Sequence, residues 1–525
     1  MPVEMRKASK GNRQAASWSE KGRHDGADRG RAQARPSVLY WLPGRTAPTS
    51  SGIRMNGNRL RAEALFFEGN RQMAAGEIVA AETSYREALR LLPDFAETHA
   101  NLALLLERSA RRDEAEHHYR RAIAGDPGCA QTHLNFGALL ADGKRFDEAE
   151  SAYRRALELA PDWPAAWSNL GALQACRKQE AAAEASCRRA IALDAGHASA
   201  HFNLAYLLLR QGRYEEGWRC FERRDWYRQL EQRLSCPRWR GESLIGRSLL
   251  IGFEAGHGDM IQFCRYADVM KRAGAARVGV ICHPALKRLF ATLDGADEIC
   301  GFDEEPSGPW DYWAPPLSLP LHCGTRLESI PARLPYLHAD AERRRQWAVE
   351  LGALASPAEL RVGLVWKGNP RFENDADRSL PDLATLAPLG AIVGVRWFSL
   401  QKGAGEDEAA RPPAGLPVVA LGGRLRDFAD TAAAIANLDL VIGVDTAVGH
   451  LAGAMARNCW LLLPDYKTDW RWLAGRGDSP WYPKVMRLFR QPRMGDWQSV
   501  VGEVAVALGA LRASYPAAID RLQYT

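Results

Sequence analysis

From Ala62 onward the apolar positions of the chain recur every 34 residues. Tyr85, Tyr119, Tyr153, Cys187 and Phe221 form one column, Ala88, Ala122, Ala156 and Ala190 a second, and Pro93, Pro127 and Pro161 a third. Small alanines let paired helices approach, the ring fills the space between them, and proline ends the second helix of each pair. Four full copies (62–95, 96–129, 130–163, 164–197) and a divergent fifth from 198 to about 226 predict an α-helical solenoid over 62–235, each repeat burying its apolar face on the next. After the polar stretch 223–240 the pattern changes. Short apolar runs predict strands at 248–253, 277–282, 362–366, 396–400, 418–421, 439–444, 459–463 and 485–489. Helical periods fall at 259–272, 341–351, 382–389, 427–437 and 446–457, with a Pro-rich, irregular stretch over 303–340. Alternation of this kind predicts two doubly wound α/β units, 240–345 and 358–525. A last helix, about 497–513, is expected to pack back onto the first unit.

A length of 525 residues leaves room for roughly three domains. No apolar run approaches the ~20 residues that span a bilayer, and the N-terminus has no apolar core of a secretory signal. The ten cysteines are scattered, with neither a C-x-x-C pair nor zinc spacing. A reduced, cytoplasmic protein without a metal site or cofactor is the expectation. The net charge of +6 is unevenly placed: residues 1–61 hold 13 Lys/Arg against 4 Asp/Glu, a net of +9, which leaves −3 for the remainder. The folded body therefore gives no argument for nucleic acid. Residues 1–58, rich in Gly, Arg, Ser, Ala and Pro without hydrophobic period, read as a disordered basic tail: a segment that touches an anionic surface, or else a solvated extension or an over-extended start preceding Met55.

The 34-residue unit resembles the tetratricopeptide repeat. Asn101, Asn135, Asn169 and Asn203 keep the same period on the first helix of successive repeats. An inner-face column of amides can grip an extended peptide backbone without reading its side chains. It resembles the Asn ladder in the repeats of the O-linked N-acetylglucosamine transferase family, and implies a protein or peptide partner. The same amides could equally tie adjacent helices together.

Within 439–455, DLVIGVDTAVGHLAGAM, a branched apolar run hands over to an Ala-rich helix at Asp445 and Thr446. A strand-to-helix turn gathers free backbone N–H groups, a hydroxyl and a positive dipole end, which suits phosphate, or else these residues merely cap the helix. Around it, FEAGHGDMIQFCRYA (253–267), SLPLHCGTRLESIPARLPYL (318–337), GLVWKGNPRFENDADRSLP (363–381), FSLQKG (398–403), the run 427–454 and DWRWLAGRGDSPWYPKVMRLFRQ (469–491) resemble the glycosyltransferase family 9 (heptosyltransferase-like) domain. The resemblance runs from about 237 to 508. It implies two facing Rossmann-like domains, a B-type transferase fold, a nucleotide-sugar donor on the C-terminal one, and metal-independent inverting transfer. It also implies Asp259 as general base, with Glu254 in reserve, although Asp259 also suits a helix cap. Gly256 and Gly258 flank the first turn and would let backbone approach a ligand. On the donor side Lys367, Arg378, Ser379, Gln401, Lys402, Asp445, Thr446 and His450 are the candidates, with a solvated loop the alternative for Arg378 and Ser379, and a cap or core role the alternative for His450. His257 stands where relatives more often have an apolar residue, and a cleft histidine titrates near neutrality. Trp470, Trp472, Trp481 and Tyr482 read as core rather than as a sugar platform.

The expected activity is sugar transfer from a nucleotide sugar to a protein or peptide recruited by the repeats. Two other readings stay open. One is transfer to a lipopolysaccharide-type glycan, and the other a non-catalytic repeat scaffold with a degenerate transferase domain. No transmembrane segment and no nucleic acid enter any of the three.

Overall fold

The computed structural model describes residues 57–224 and 226–514, so the tail expected over 1–58 lies outside the described residues except for its last two. The chain divides into two compact units, with the boundary between Leu207 and Leu208.

In the helical unit, Gly57–Ala74 pairs with Ile78–Leu91, Ala96–Arg108 with Arg112–Gly125, Ala130–Asp142 with Phe146–Leu159, and Pro164–Cys176 with Glu180–Leu193. The period-34 columns form its core: Tyr85, Tyr119, Tyr153, Cys187 and the four alanines are all buried. Glycine makes the space for the ring, since a Cβ at Gly137 would lie 2.7 Å from the Tyr153 ring. A further column is legible only with the structure. His99, His133, Trp167 and His201 each direct a ring nitrogen at the backbone carbonyl six residues earlier, at 2.9, 3.1, 2.8 and 3.0 Å. A carbonyl only accepts, so each ring nitrogen carries the proton. These bonds pin the turn between repeats to the next helix and satisfy a carbonyl left over near a helix end.

The asparagine column bears on the choice between its two readings. Asn101, Asn135 and Asn169 are at most 3% exposed. Asn101 Nδ2 donates to Asn70 Oδ1 at 2.8 Å, Asn135 Oδ1 accepts from Gln131 at 3.0 Å, and Asn203 Nδ2 donates to Ser168 Oγ at 3.2 Å. Asn101 and Asn203 thus bond to a neighbouring helix, the bond to Asn135 comes from its own helix, and the buried Nδ2 of Asn169 has no hydrogen-bond partner. They do not form an open ladder.

The α/β unit holds two all-parallel sheets. The first has the order β3–β2–β1–β4, from β1 (Ser248–Ile251), β2 (Arg277–Cys282), β3 (Glu298–Gly301) and β4 (Tyr312–Ala314), with Leu250 between Gly279 and Trp313. The second has the order β10–β9–β8–β5–β6–β7. Its strands are β5 (Leu360–Val365), β6 (Val395–Ser399), β7 (Val418–Ala420), β8 (Leu440–Val444), β9 (Cys459–Leu463) and β10 (Met486–Arg490), with Ile442 between Leu364 and Trp460. Every residue of β8 and β9 is buried, which is why these strands read as unbroken apolar runs. Three helices matter below: α1 (His257–Phe263) after β1, α2 (Phe428–Ile435) before β8, and α3 (Ala447–Ala454) after β8.

Strands β3 and β4 were not expected. With four and three residues they are too short to show a period, and β4 lies inside the stretch read as irregular. The helix expected over 259–272 is two, α1 and Tyr266–Arg272, and that over 382–389 is a 3-10 segment, Leu383–Ala391, containing Pro388. The terminal helix Trp497–Ser514 packs on the second sheet, not the first. Its stripe Trp497, Val500, Val501, Val504 and Leu508 shares a core with Leu360, Leu386, Trp397 and Phe489.

Candidate functional site

Chain order reverses between β1 and β4 in the first sheet and between β5 and β8 in the second. Outside the carboxyl ends of such a strand pair lies the crevice in which open parallel sheets take ligands. The turn after β1 carries Glu254 and Gly256 and runs into His257, Gly258 and Asp259, the first turn of α1, while Lys367 follows β5 and Asp445–Thr446 follow β8. The two crevices meet. A Cβ placed on Gly258 of α1 would lie 3.6 Å from Ala447 Cα, in the first turn of α3, and 2.9 Å from His450 Cδ2. Gly258 therefore permits a close helix approach, and Gly256 is the helix cap at φ −85°. It is Ala255 that turns left-handed, at φ +64°, a conformation costing an alanine about 1 kcal/mol and held only by its surroundings.

Both expected catalytic carboxylates are committed inside the fold. Asp259, 1% exposed, accepts from Gly256 N through Oδ2 at 2.9 Å and from Arg471 Nη2 through Oδ1 at 2.6 Å. Arg471 also donates to both oxygens of Asp469, at 2.9 and 3.0 Å, and to Gln262. Glu254 accepts from Arg224 Nε at 2.6 Å and Nη2 at 3.0 Å, from Trp226 Nε1 and from Leu317 N. Buried charge demands such compensation, so neither side chain presents an uncommitted carboxylate to the crevice. Asp259 takes both the cap role and an ion pair. The partners Arg471 and Arg224 were missed in the sequence, where only the DWRW pattern at 469–472 hinted at the first.

The donor-side candidates divide likewise. Lys367 pairs with Glu408 at 2.8 Å, Arg378 with Asp375 at 3.0 Å while stacking on Phe372, and Lys402 with Glu406 at 3.3 Å. Gln401 clamps the turn after β5, accepting from the backbone N–H of Trp366 and of Lys367 at 3.0 Å each and donating to Lys367 O. Ser379 Oγ accepts from Gly368 N at 2.8 Å. His450 is buried, bonded to Tyr482 Oη at 2.8 Å through Nδ1 and stacked on Trp472, so its place is in the core beneath α3. Asp445 is buried beside it, 3.9 Å from His450 Nε2. Thr446 differs from all of these. It caps α3 with extended backbone, and its buried hydroxyl makes no hydrogen bond.

Two buried arginines link the sheets. Arg471, between β9 and β10, reaches Asp259 and Gln262 of α1, and Arg265 reaches from behind α1 to Trp481 O at 2.7 Å, Pro331 O at 3.0 Å and Tyr336 Oη at 2.9 Å. Trp470, Trp472, Trp481 and Tyr482 are fully buried around them, as expected of core. A surface recess of about 340 Å³, lined by Arg213, Glu216, Arg219 and Arg326 among others, lies elsewhere and contains none of the predicted residues. Among the described residues no three His, Cys, Asp or Glu side chains gather as metal ligands, and no helix is long and apolar enough to cross a membrane.

Comparison with known proteins agrees with this layout. Tetratricopeptide-repeat models match 66–128, 100–164, 134–198 and 186–219, and the glycosyltransferase family 9 (heptosyltransferase) model matches 392–459, from just before β6 to the start of β9. Protein FlbA of Caulobacter vibrioides is 28% identical over 351 residues, 60% of this chain and 56% of that protein, so the chain spans just over half of this curated relative. The solved structure of pilF from Pseudomonas aeruginosa is 25% identical over 32% of this chain and 77% of its own, with a TM-score of 0.30. A thermophilic tetratricopeptide-repeat protein of Thermus thermophilus is 21% identical over 33% of this chain and 96% of its own, with a TM-score of 0.29. Residues 66–219 are thus similar to tetratricopeptide repeats and residues 392–459 to the glycosyltransferase family 9 (heptosyltransferase) domain.

Proposed function

We propose that the α/β unit moves a sugar from a nucleotide-sugar donor to an acceptor, with inversion and without a metal, and that the acceptor is a protein or peptide recruited by the repeats. The observation that carries this reading is the meeting of two switch-point crevices where Gly258 abuts Ala447. Transfer requires an acceptor-side proton acceptor and a leaving-group site to lie side by side, and this contact brings the two turns together. The diphosphate is assigned to the N-terminus of α3, where the unpartnered Thr446 hydroxyl and the helix dipole both favour an anion. Lys367, across the same switch point, exchanges Glu408 for phosphate in this reading, while Gln401, Ser379, Arg378 and Lys402 hold the surrounding loops. The proton acceptor lies on the turn 254–259. Because Asn101, Asn135 and Asn169 are buried, peptide recruitment falls to other side chains of the repeats.

Calorimetric titration of the full chain with a panel of nucleoside diphosphates and nucleotide sugars tests the reading. Micromolar binding of one member, weakened about tenfold (~1.4 kcal/mol) by Thr446→Val with the thermal midpoint unchanged, is the expected result. A folded chain that binds no member of the panel would favour the non-catalytic scaffold.

A further inference from the structure

The 34-residue register places Phe67 in the column of Asn101 and Asn135, and Ala64 in the column of Thr98 and Thr132. In the later repeats this face is closed. Thr98, Asn101, Thr132 and Asn135 are all buried, and each first helix packs on the second helix of the repeat before it, as Ala96–Arg108 does on Ile78–Leu91. The first repeat has no such neighbour among the described residues, and its face is open. Leu60 is 51% and Phe67 50% exposed, with the exposed Ala64 between them.

At spacings of four and three residues these side chains form one stripe along the helix Gly57–Ala74. Ala62, Phe66 and Gly69, each two residues on from a member of that stripe, point about 200° away and are buried. Phe66 and Gly69 lie there against Tyr85 of the second helix. A helix apolar on opposite sides is one that is covered on both, and a solenoid that ends in solvent needs a polar outer face.

One more repeat does not supply the cover. Carried back by 34, the buried positions Ala81, Ser84, Tyr85 and Ala88 of the second helix fall on Ala47, Ser50, Ser51 and Arg54, with Pro48 and Gly52 among them. Serine stands where the ring is needed, and proline interrupts the helix. The tail does hold one apolar run, residues 38–42 (VLYWL), set between Pro36 and Pro43.

We propose that residues 38–42 dock on the stripe of Leu60, Ala64 and Phe67 of the same chain and cap the solenoid. Tyr40 and Trp41 supply the rings that Ser51 does not. Residues 43–56 join the run to the helix, and a flexible chain of that length spans about 20 Å. The stripe starts one turn into the helix and is about 10 Å long, well inside that reach. Tethering gives an effective concentration in the millimolar range, so a contact of only millimolar intrinsic affinity is substantially filled. A second copy has no such advantage. A stable interface between chains buries roughly 1,200–2,000 Å², more than two half-buried side chains offer. The docked run also holds the arginine-rich stretch before it at the open end of the repeats.

The test is photo-crosslinking of the full-length protein with p-benzoylphenylalanine in place of Phe67, which keeps an aromatic ring in the stripe and bonds to whatever lies against it. The expected product runs at monomer mass, and its digest links position 67 to residues 38–42. With the probe at Trp41 instead, label should fall on residues 60–67, and adding Phe67→Asp should cut its yield at least about fivefold by setting a charge against the run. Circular dichroism checks that each variant keeps its helices. Product at dimer mass would give the stripe to a second copy. Label from position 67 confined to its own helix, or a Trp41 probe indifferent to Phe67→Asp, would show the stripe uncovered by the tail. Any of these results overturns the proposal, and none bears on the transfer reading.

Discussion

Replacing Arg471 by methionine keeps most of the side-chain volume and removes one charge that three groups share. Asp259, 1% exposed, loses its 2.6 Å partner, Asp469, 8% exposed, loses two bonds at 2.9 and 3.0 Å, and Gln262 loses a donor. Breaking a buried ion pair from one side costs about 3–5 kcal/mol, because the abandoned charge stays desolvated. Two carboxylates are abandoned here, so R471M should fall at or above the top of that range unless one of them takes up a proton. The assay is equilibrium urea unfolding of the α/β unit followed by tryptophan fluorescence, since Trp470, Trp472 and Trp481 all lie close to the substituted site. The double variant D259N/R471M removes one orphaned charge and should recover about 1–3 kcal/mol relative to R471M. A loss under about 1 kcal/mol, or a double variant no more stable than R471M, would refute the claim that Arg471 compensates buried charge.

Asn101→Ala should cost the helical unit about 1–2 kcal/mol in thermal or urea melts, because it deletes the bond to Asn70 and leaves a buried gap; a neutral result would return Asn101 to the list of ligand-facing residues. Acid should weaken the same unit through His99 and His118, whose Nδ1 atoms lie 2.8 Å apart. His99 gives its Nε2 proton to Pro93 O, so in the neutral pair His118 donates between the rings, and the bond is lost once both rings are protonated. Burial, then the His99 charge, pushes His118 to about 4 from 6.5, so the unfolded chain binds more protons between these values. The contribution is complete above pH 6.5 and is lost as pH falls toward 4; H118N should flatten the midpoint-against-pH curve in that window.

How far the sequence reading reached depends on whether a property was local. The repeats were legible because each buried position, Tyr119 or Ala122 for example, repeats its own surroundings at a fixed interval. Strands β8 and β9 were legible because both faces are buried, whereas three-residue β4 is defined by its bonding to β1. The turns at the two crevices were also visible as composition. What those turns contain electrostatically was not, because Asp259 is answered by a guanidinium 212 positions away and Glu254 by one 30 positions away. The asparagine column stayed open between two readings for the same reason. Its period placed the amides on one face, but only the neighbouring helix decides whether that face is open.

The arginine links between the sheets bear on how a substrate would get in. Many two-lobed enzymes admit ligands by swinging one lobe away from the other. Here such a swing would have to pull Arg471 from Asp259 and Arg265 from the Trp481 carbonyl together, exposing two buried cations at once. The rim loop 368–379 is fastened to residues 466–467 by two hydrogen bonds of 3.4 Å from Asn374 and by the Lys467–Glu373 ion pair at 3.2 Å. Loosening that latch by Asn374→Ala, rather than loosening the lobes, is the change that would speed ligand exchange.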